Sequence, residues 1–362
     1  MEKLSRVVEI LEKKKMDGFI VTDASNRKYL TNFTGSNGIL LITKQGTVMI
    51  TDYRYVEQAK GQTEGIEIIL HSDHTGHKGS KSTIYKKVVE QINRFKLEKV
   101  GFEQDSMIFG LYNILKDQGN FELVPTLDVV EDIRMVKSES ERKKLKTATE
   151  IADAAFLHIL DVIKPGMKEI EVSNEIDAFI EKNGAHNTGS LPIVASGWRG
   201  ALAHGRASDK VIEQGDMIVL DFGANYEGYW SDMSRSISVG APDPELEKIH
   251  GIVYEALEKT LDALKPGVYD QELDQVIKEH IRSQGYIEYA GTGTGHGIGM
   301  DVHETPYLST KKDKKVEANM VFAIEPGIYL PGKGGVRIED NLHVTEEGYE
   351  NWNKSSKELF VL

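Results

Sequence analysis

Four carboxylates and one imidazole, each set in a short and specific phrase, constrain this chain more than any other feature. Asp221 and Asp232 frame the run Asp221-Phe-Gly-Ala-Asn-Tyr-Glu-Gly-Tyr-Trp-Ser-Asp232. His296 lies in Gly293-Thr-Gly-His-Gly-Ile-Gly299, Glu325 in Ala323-Ile-Glu-Pro-Gly327, and Glu339 in Gly334-Gly-Val-Arg-Ile-Glu-Asp340. Like charges a few ångströms apart resist ionising together, so a fold that gathers these acids in one pocket must also bring in positive charge. One imidazole among hard oxygens suits a pair of divalent ions better than a single thiol-seeking zinc. The set points to a dinuclear, metal-dependent hydrolase.

The rest of the composition narrows the setting. A chain of 362 residues is long for one core and comfortable for two domains. Its 40% hydrophobic and 28% charged content is that of a water-soluble protein, and no run approaches the ~18 apolar residues that span a bilayer. Residues 1–15 mix both charge signs and are expected to form an amphipathic surface helix, not a signal peptide. The absence of cysteine excludes disulfides, thiolate catalysis and cysteine metal sites, and agrees with a reducing cytoplasm. A net charge of -13 disfavours nucleic acid as a partner.

Periodicity divides the chain. Residues 1–15, 82–95 and 107–116 read as helices, and 18–22, 38–43, 47–51 and 99–103 as short strands, an α/β domain over 1–132. Ser138, followed three residues later by Glu141, is a capping-box signature that opens a long charged helix over 139–163. The second domain, 133–362, continues with a further helix beyond 164–167 and helices over 244–264 and 271–284. Its apolar strands 217–221 and 320–325 each end in one of the acids. An apolar strand, a terminal acid and a glycine-rich turn thus occur twice, short of a sequence repeat.

Taken singly, each signal has an ordinary alternative. Asp221 and Asp232 can meet at one end of an antiparallel hairpin turned at Gly228, although strand-end acids are often merely solvated. Glu325 follows an apolar run and is costly to bury unpaired, unless it is exposed. Glu339 and Arg337 share a strand face and could form a simple salt bridge. Glycines flanking His296 let backbone close tightly around the ring. They do not fit a nucleotide-binding register, and His303-Glu304 is not a zinc-protease motif, because Tyr307 stands where its second histidine belongs. His71, His74 and His77 and the lysine-rich stretch 311–315 read as solvated loops, and 33–38 as a tight turn.

In their order and phrasing the five residues resemble the pita-bread metallopeptidases, specifically the prolidase and aminopeptidase P branch. Methionine aminopeptidases share the pattern but are shorter at the N-terminus. Tyr29-Leu-Thr-Asn-Phe-Thr-Gly-Ser36 and Thr51-Asp-Tyr-Arg-Tyr55 are similar to that branch's creatinase-type domain, so the resemblance covers nearly the whole chain. It implies a creatinase-like α/β N-terminal domain, an α+β pita-bread catalytic domain and a homodimer, in which region 33–38 can approach the partner's site. Asp221 and Asp232 would hold one ion, His296 and Glu325 the other, with Asp232 and Glu339 bridging. The metal pair is expected to be manganese, with cobalt and zinc compatible. Glu325 would shuttle the proton, His303 would donate to the tetrahedral intermediate, His204 would hold substrate, and Arg337 would stand beside the last ligand.

The implied activity is hydrolysis of the bond preceding proline in Xaa-Pro dipeptides, by a hydroxide held between two ions. Proline lacks an N–H and fixes φ, so general peptidases accommodate it poorly. The alternative is aminopeptidase P action on longer Xaa-Pro peptides. Metal-free creatinase chemistry and a non-catalytic pita-bread binding protein are further alternatives, against which the intact five-residue set argues. The chain departs from the branch at Thr292, where another histidine is usual, and at Ala203, where a proline usually precedes the histidine. Bulky Trp198 and Arg199 lead into that segment, and Ser234-Arg-Ser236 replaces Thr-Arg-Thr while keeping both hydroxyls.

Overall fold

The computed structural model describes residues 2–71, 81–186, 192–308 and 314–362, and divides into two compact units, Met1–Arg134 and Met135–Leu362. His74, His77 and residues 311–313 lie outside the described residues. Among the described residues no helix is long and apolar enough to cross a membrane.

The first unit runs α1 (Glu2–Lys13), β1 (Gly18–Val21), α2 (Ala24–Thr31), β2 (Ile39–Thr43), β3 (Gly46–Thr51), α3 (Val56–Gln62), β4 (Ile66–Leu70), α4 (Lys81–Arg94), β5 (Lys99–Glu103), α5 (Phe109–Gln118), β6 (Glu122–Thr126) and α6 (Glu131–Met135). One six-stranded mixed sheet results, ordered β4-β3-β2-β1-β5-β6. β1 and β2 are continuous apolar runs and are buried on both faces, as central strands must be. β4 sits at the edge, where its Glu67 stays wet. Val88 and Ile92 of α4 and Leu111 and Leu115 of α5 join the core cluster of this sheet. The segment before β2 is pinned by Arg27, which donates to the carbonyls of Gly35 (3.0 Å) and Gly38 (2.8 Å).

The second unit opens with α7 (Glu139–Val162) and α8 (Glu169–Lys182). The capping box expected at Ser138 and Glu141 is present. β7 (Ile193–Ser196), a short 3-10 helix (Gly197–Ala201) and β8 (Met217–Phe222) follow. A small ribbon, β9 (Asn225–Tyr226) and β10 (Tyr229–Trp230), turns at Glu227 and Gly228, whose φ of 85° favours glycine, and leads into β11 (Met233–Ser238). Next come α9 (Pro244–Ala263), α10 (Asp270–Ser283), β12 (Gly295–Gly297), β13 (Glu304–Tyr307) and β14 (Val321–Ile324). The unit closes with β15 (Gly327–Leu330), β16 (Gly334–Arg337), β17 (Asp340–Val344), β18 (Tyr349–Asn351) and β19 (Phe360–Val361).

Two similar halves emerge. Helices α7 and α8 pack Phe156, Ile159, Val172 and Ile176 on the sheet β19-β11-β8-β7. Helices α9 and α10 pack Val253, Leu257, Leu273 and Ile277 on Phe322, Ile324 and Leu342 of the sheet β13-β12-β14-β17-β18. The repeated strand-acid-turn phrases are the visible trace of this arrangement. Each half contributes strand ends to one site.

Candidate active site

The five residues reach one place from four directions. Asp221 is the penultimate residue of β8, and Asp232 immediately precedes its antiparallel neighbour β11, so the hairpin expectation holds, extended by the β9-β10 ribbon. His296 is the middle residue of β12, Glu325 follows the last residue of β14, and Glu339 lies between β16 and β17. Ser234 joins the halves: it stands opposite Asp221 in the β8-β11 register and bridges to Glu339, whose N–H donates to its carbonyl (3.0 Å). Gly297, beside the histidine, is required by packing, since a Cβ there would sit 2.5 Å from the Thr305 carbonyl oxygen.

Ligand-capable atoms form overlapping groups within 4.8 Å: Asp221, Asp232 and Glu339; His296, Glu325 and Glu339; and Asp232, His296 and His303. Glu339 and Asp232 belong to two groups each, the arrangement a bridging carboxylate needs. His296 Nε2 lies 3.5 Å from Glu325 and 3.9 Å from Asp232. Its Nδ1 is 3.0 Å from the Gly297 carbonyl, which favours a proton on Nδ1 and leaves a lone pair on Nε2 facing the carboxylates. Burial, then the neighbouring His303, lowers its pKa to about 4, so the ring is neutral at physiological pH.

Burial raises the pKa values of Asp232, Glu325 and Glu339 well above the carboxylate range, and neighbouring carboxylates raise them further. Two buried atoms, His296 Nε2 and Glu339 Oε1, have no hydrogen-bond partner among the described residues. Both are acceptors turned into a cluster of acceptors, so only a cation or a set of protons satisfies them. This donor set fits two divalent ions.

Around the cluster, hydrogen bonds fix the carboxylates. Ser234 Oγ donates to Glu339 Oε2 (2.8 Å) and accepts from Arg337 Nε (2.9 Å). The remaining Arg337 nitrogens donate to the Ala203 carbonyl (2.9 Å), Tyr329 Oη (2.6 Å) and Asp221 Oδ2. Burial works against the Arg337 charge, but Asp221, Tyr329 and Glu325 hold its pKa well above the ordinary arginine value. The ordinary alternative for Glu339, a salt bridge to Arg337, is not what forms: Arg337 pairs with Asp221, with Glu325 at 4.0 Å. Asn341 Oδ1 accepts from the Asp232 N–H (3.2 Å).

A cavity of about 570 Å³ opens over this cluster, of the size that takes small organic ligands. His204 and His303 line it, as do Asp221, Asp232, Glu325 and Arg337. His303 is exposed, with its ring 4.3 Å from that of His296, and His204 is exposed on the segment after the 3-10 helix. Fully buried Glu169 anchors that segment, accepting from Ser196 N (2.8 Å), Ser208 N (3.1 Å), both serine hydroxyls and Arg199. Pro192, Ile193, Phe222, Trp230 and Val302 supply an apolar wall. Thr292 is exposed and is not among the lining residues. Sequence reasoning missed Tyr329, Asn341, Trp230 and Glu169, which carry no local motif and are brought in by the fold.

Comparison with known proteins bears on both units. Residues 143–346 match the model of metallopeptidase family M24, and residues 3–136 match the creatinase/prolidase N-terminal domain. A solved Xaa-Pro dipeptidase from Bacillus anthracis is 46% identical, superposes with a TM-score of 0.93, and covers 100% of this chain and 99% of its own. A curated Xaa-Pro dipeptidase of Pyrococcus horikoshii is 36% identical over 99% of this chain and 98% of its own. A solved X-Pro aminopeptidase from Thermotoga maritima is 37% identical, with a TM-score of 0.86 over 99% of this chain and 100% of its own.

Proposed function

The chain belongs to metallopeptidase family M24, with a creatinase/prolidase N-terminal domain, and on that premise we propose that it hydrolyses the bond preceding proline in Xaa-Pro dipeptides. The carrying observation is the pair of partnerless buried acceptors, His296 Nε2 and Glu339 Oε1, inside a crowd of carboxylates. Asp221 and Asp232 would hold one ion and His296 and Glu325 the other, with Asp232 and Glu339 placed to serve both, an assignment supported by the overlapping groups. Divalent ions so held supply an activated water and polarise the scissile carbonyl. The oxygen-rich donor set supports manganese, and the lack of cysteine supports a reducing cytoplasm. The homodimer rests on the family resemblance alone.

The protein's own groups do the rest. Glu325, a carboxylate on the cavity lining beside the ligand-capable cluster, takes the proton of the attacking water and passes it to the leaving proline nitrogen. His303, whose pKa desolvation lowers, donates a hydrogen bond to the developing oxyanion, and His204 steadies the substrate. Arg337 has every nitrogen engaged by protein groups and acts as a positioning residue for Asp221 and Ser234. Phe222, Trp230 and Ile193 offer the apolar surface that a pyrrolidine ring fills. Chelated protein given Mn²⁺, Co²⁺ or Zn²⁺ is expected to release proline from Ala-Pro, to act more slowly on Ala-Pro-Ala, and to leave Ala-Ala and Met-Ala-Ala intact. Uptake of metal with no cleavage of Ala-Pro would overturn the assignment.

A further inference from the structure

We infer that Arg206 receives the free C-terminal carboxylate of the substrate and so makes the site selective for dipeptides, an inference that rests on the Xaa-Pro assignment above. Arg206 lines the same cavity as His204, His303 and the carboxylates. Its backbone is fixed on three sides. The Arg206 N–H donates to the His204 carbonyl (2.9 Å), and its carbonyl accepts from Arg199 Nη2 (2.9 Å). It also forms a β-bridge with Ile193, itself a lining residue. Two residues on, Ser208 is tied to buried Glu169, so the segment is anchored at both ends.

The two cationic arginines of the lining are in opposite states. Arg337 donates to Ser234, Ala203, Tyr329 and Asp221, which engages all three of its nitrogens and four of its five N–H groups and leaves no free fork for a ligand. The Arg206 guanidinium, exposed at the cavity, makes no hydrogen bond or ion pair with any described residue. Its donor fork is therefore available, and that fork matches a carboxylate bidentately. Besides Asp221, Asp232 and Glu325, whose charge the ions would offset, the lining carries Asp177 and Asp301, so a substrate carboxylate meets negative charge there unless a cation receives it. In an Xaa-Pro dipeptide the carboxylate is bonded to the proline Cα, next to the ring nitrogen of the scissile bond, and so stands at short, nearly fixed reach from that bond. In a longer peptide that position is a neutral amide, which gives the guanidinium no charge to pair.

The test compares Ala-Pro with Ala-Pro-amide, which differ only in that charge, in wild type, Arg206→Ala and Arg206→Lys. A charge-assisted contact at a partly solvated site predicts that Arg206→Ala lowers kcat/KM on Ala-Pro about tenfold or more beyond its effect on Ala-Pro-amide. The loss should fall on KM, because the carboxylate is bound equally in ground and transition states, and Arg206→Lys should recover part of it. Equal losses on the two substrates, or none on either, would overturn the inference while leaving the hydrolase assignment standing. Failure of the metal-loaded wild type on both substrates would overturn that assignment and the inference with it.

Discussion

Ser234 carries no charge, yet two charged groups depend on its hydroxyl, which donates to Glu339 and accepts from Arg337. Ser234→Ala strands a carboxylate oxygen and a guanidinium N–H in a buried site, a cost of about 1–3 kcal/mol. Metal affinity, read by competition with a chelator, is expected to fall about tenfold to a hundredfold, whereas unchanged affinity would remove Ser234 from the site's support. Glu325→Gln keeps the side-chain shape but removes the proton acceptor, and at metal occupancy matched to wild type kcat on Ala-Pro is expected to drop by about 10²–10⁴. Activity within about twofold of wild type would assign the proton transfer elsewhere. The five candidate ligands were legible because each sits in a distinctive local frame: a glycine-lined strand for His296, an apolar strand end for Glu325. Tyr329, Asn341 and Arg206 were not, because what places them at the cluster or its cavity is contact with neighbours distant in the chain.

At the scale of elements, the periodic segments were legible and the irregular ones were not. Helix α7 announced itself through its capping box and β2 through an unbroken apolar run. Helix α2 escaped notice because its residues are polar; it is held by the Asp23 cap on the Asn26 N–H (2.8 Å) and by Glu103, which accepts from Asp23 N and Asn26 Nδ2 (2.8 Å each). Strands β4, β6 and β7 were too short and too mixed to stand out from loop. Helix α9 makes a prediction of its own. Burial lowers the His250 pKa from 6.5 to about 4, so the folded chain prefers the neutral ring. The unfolded chain binds the proton first, so stability is held above pH 6.5 and lost as the pH falls towards 4, by up to about 3 kcal/mol. Thermal unfolding of His250→Gln should depend less steeply on pH across that window, and an unchanged slope would exclude His250 as its source.

Over the whole molecule, the carboxylate cluster couples metal binding to the stability of the unit Met135–Leu362. Asp232, Glu325 and Glu339 have folded-state pKa values raised above the ordinary 3.8 and 4.5. Without metal, their stabilising contribution is present while they are protonated and is lost as the pH rises through the raised values. Chelation should therefore lower the unfolding temperature more at pH 7.5 than at pH 5. Metal at a hundredfold excess over its Kd contributes about 2.7 kcal/mol per site at the higher pH. An equal effect at both pH values would contradict the linkage. The most direct measurement is the metal content of the chain after saturation with Mn²⁺ and removal of free ion, for wild type and Glu339→Gln. Close to two ions per wild-type chain, falling by at least one in the variant that loses a shared carboxylate, is the predicted result; a wild-type chain that retains no ion would contradict a dinuclear hydrolase outright.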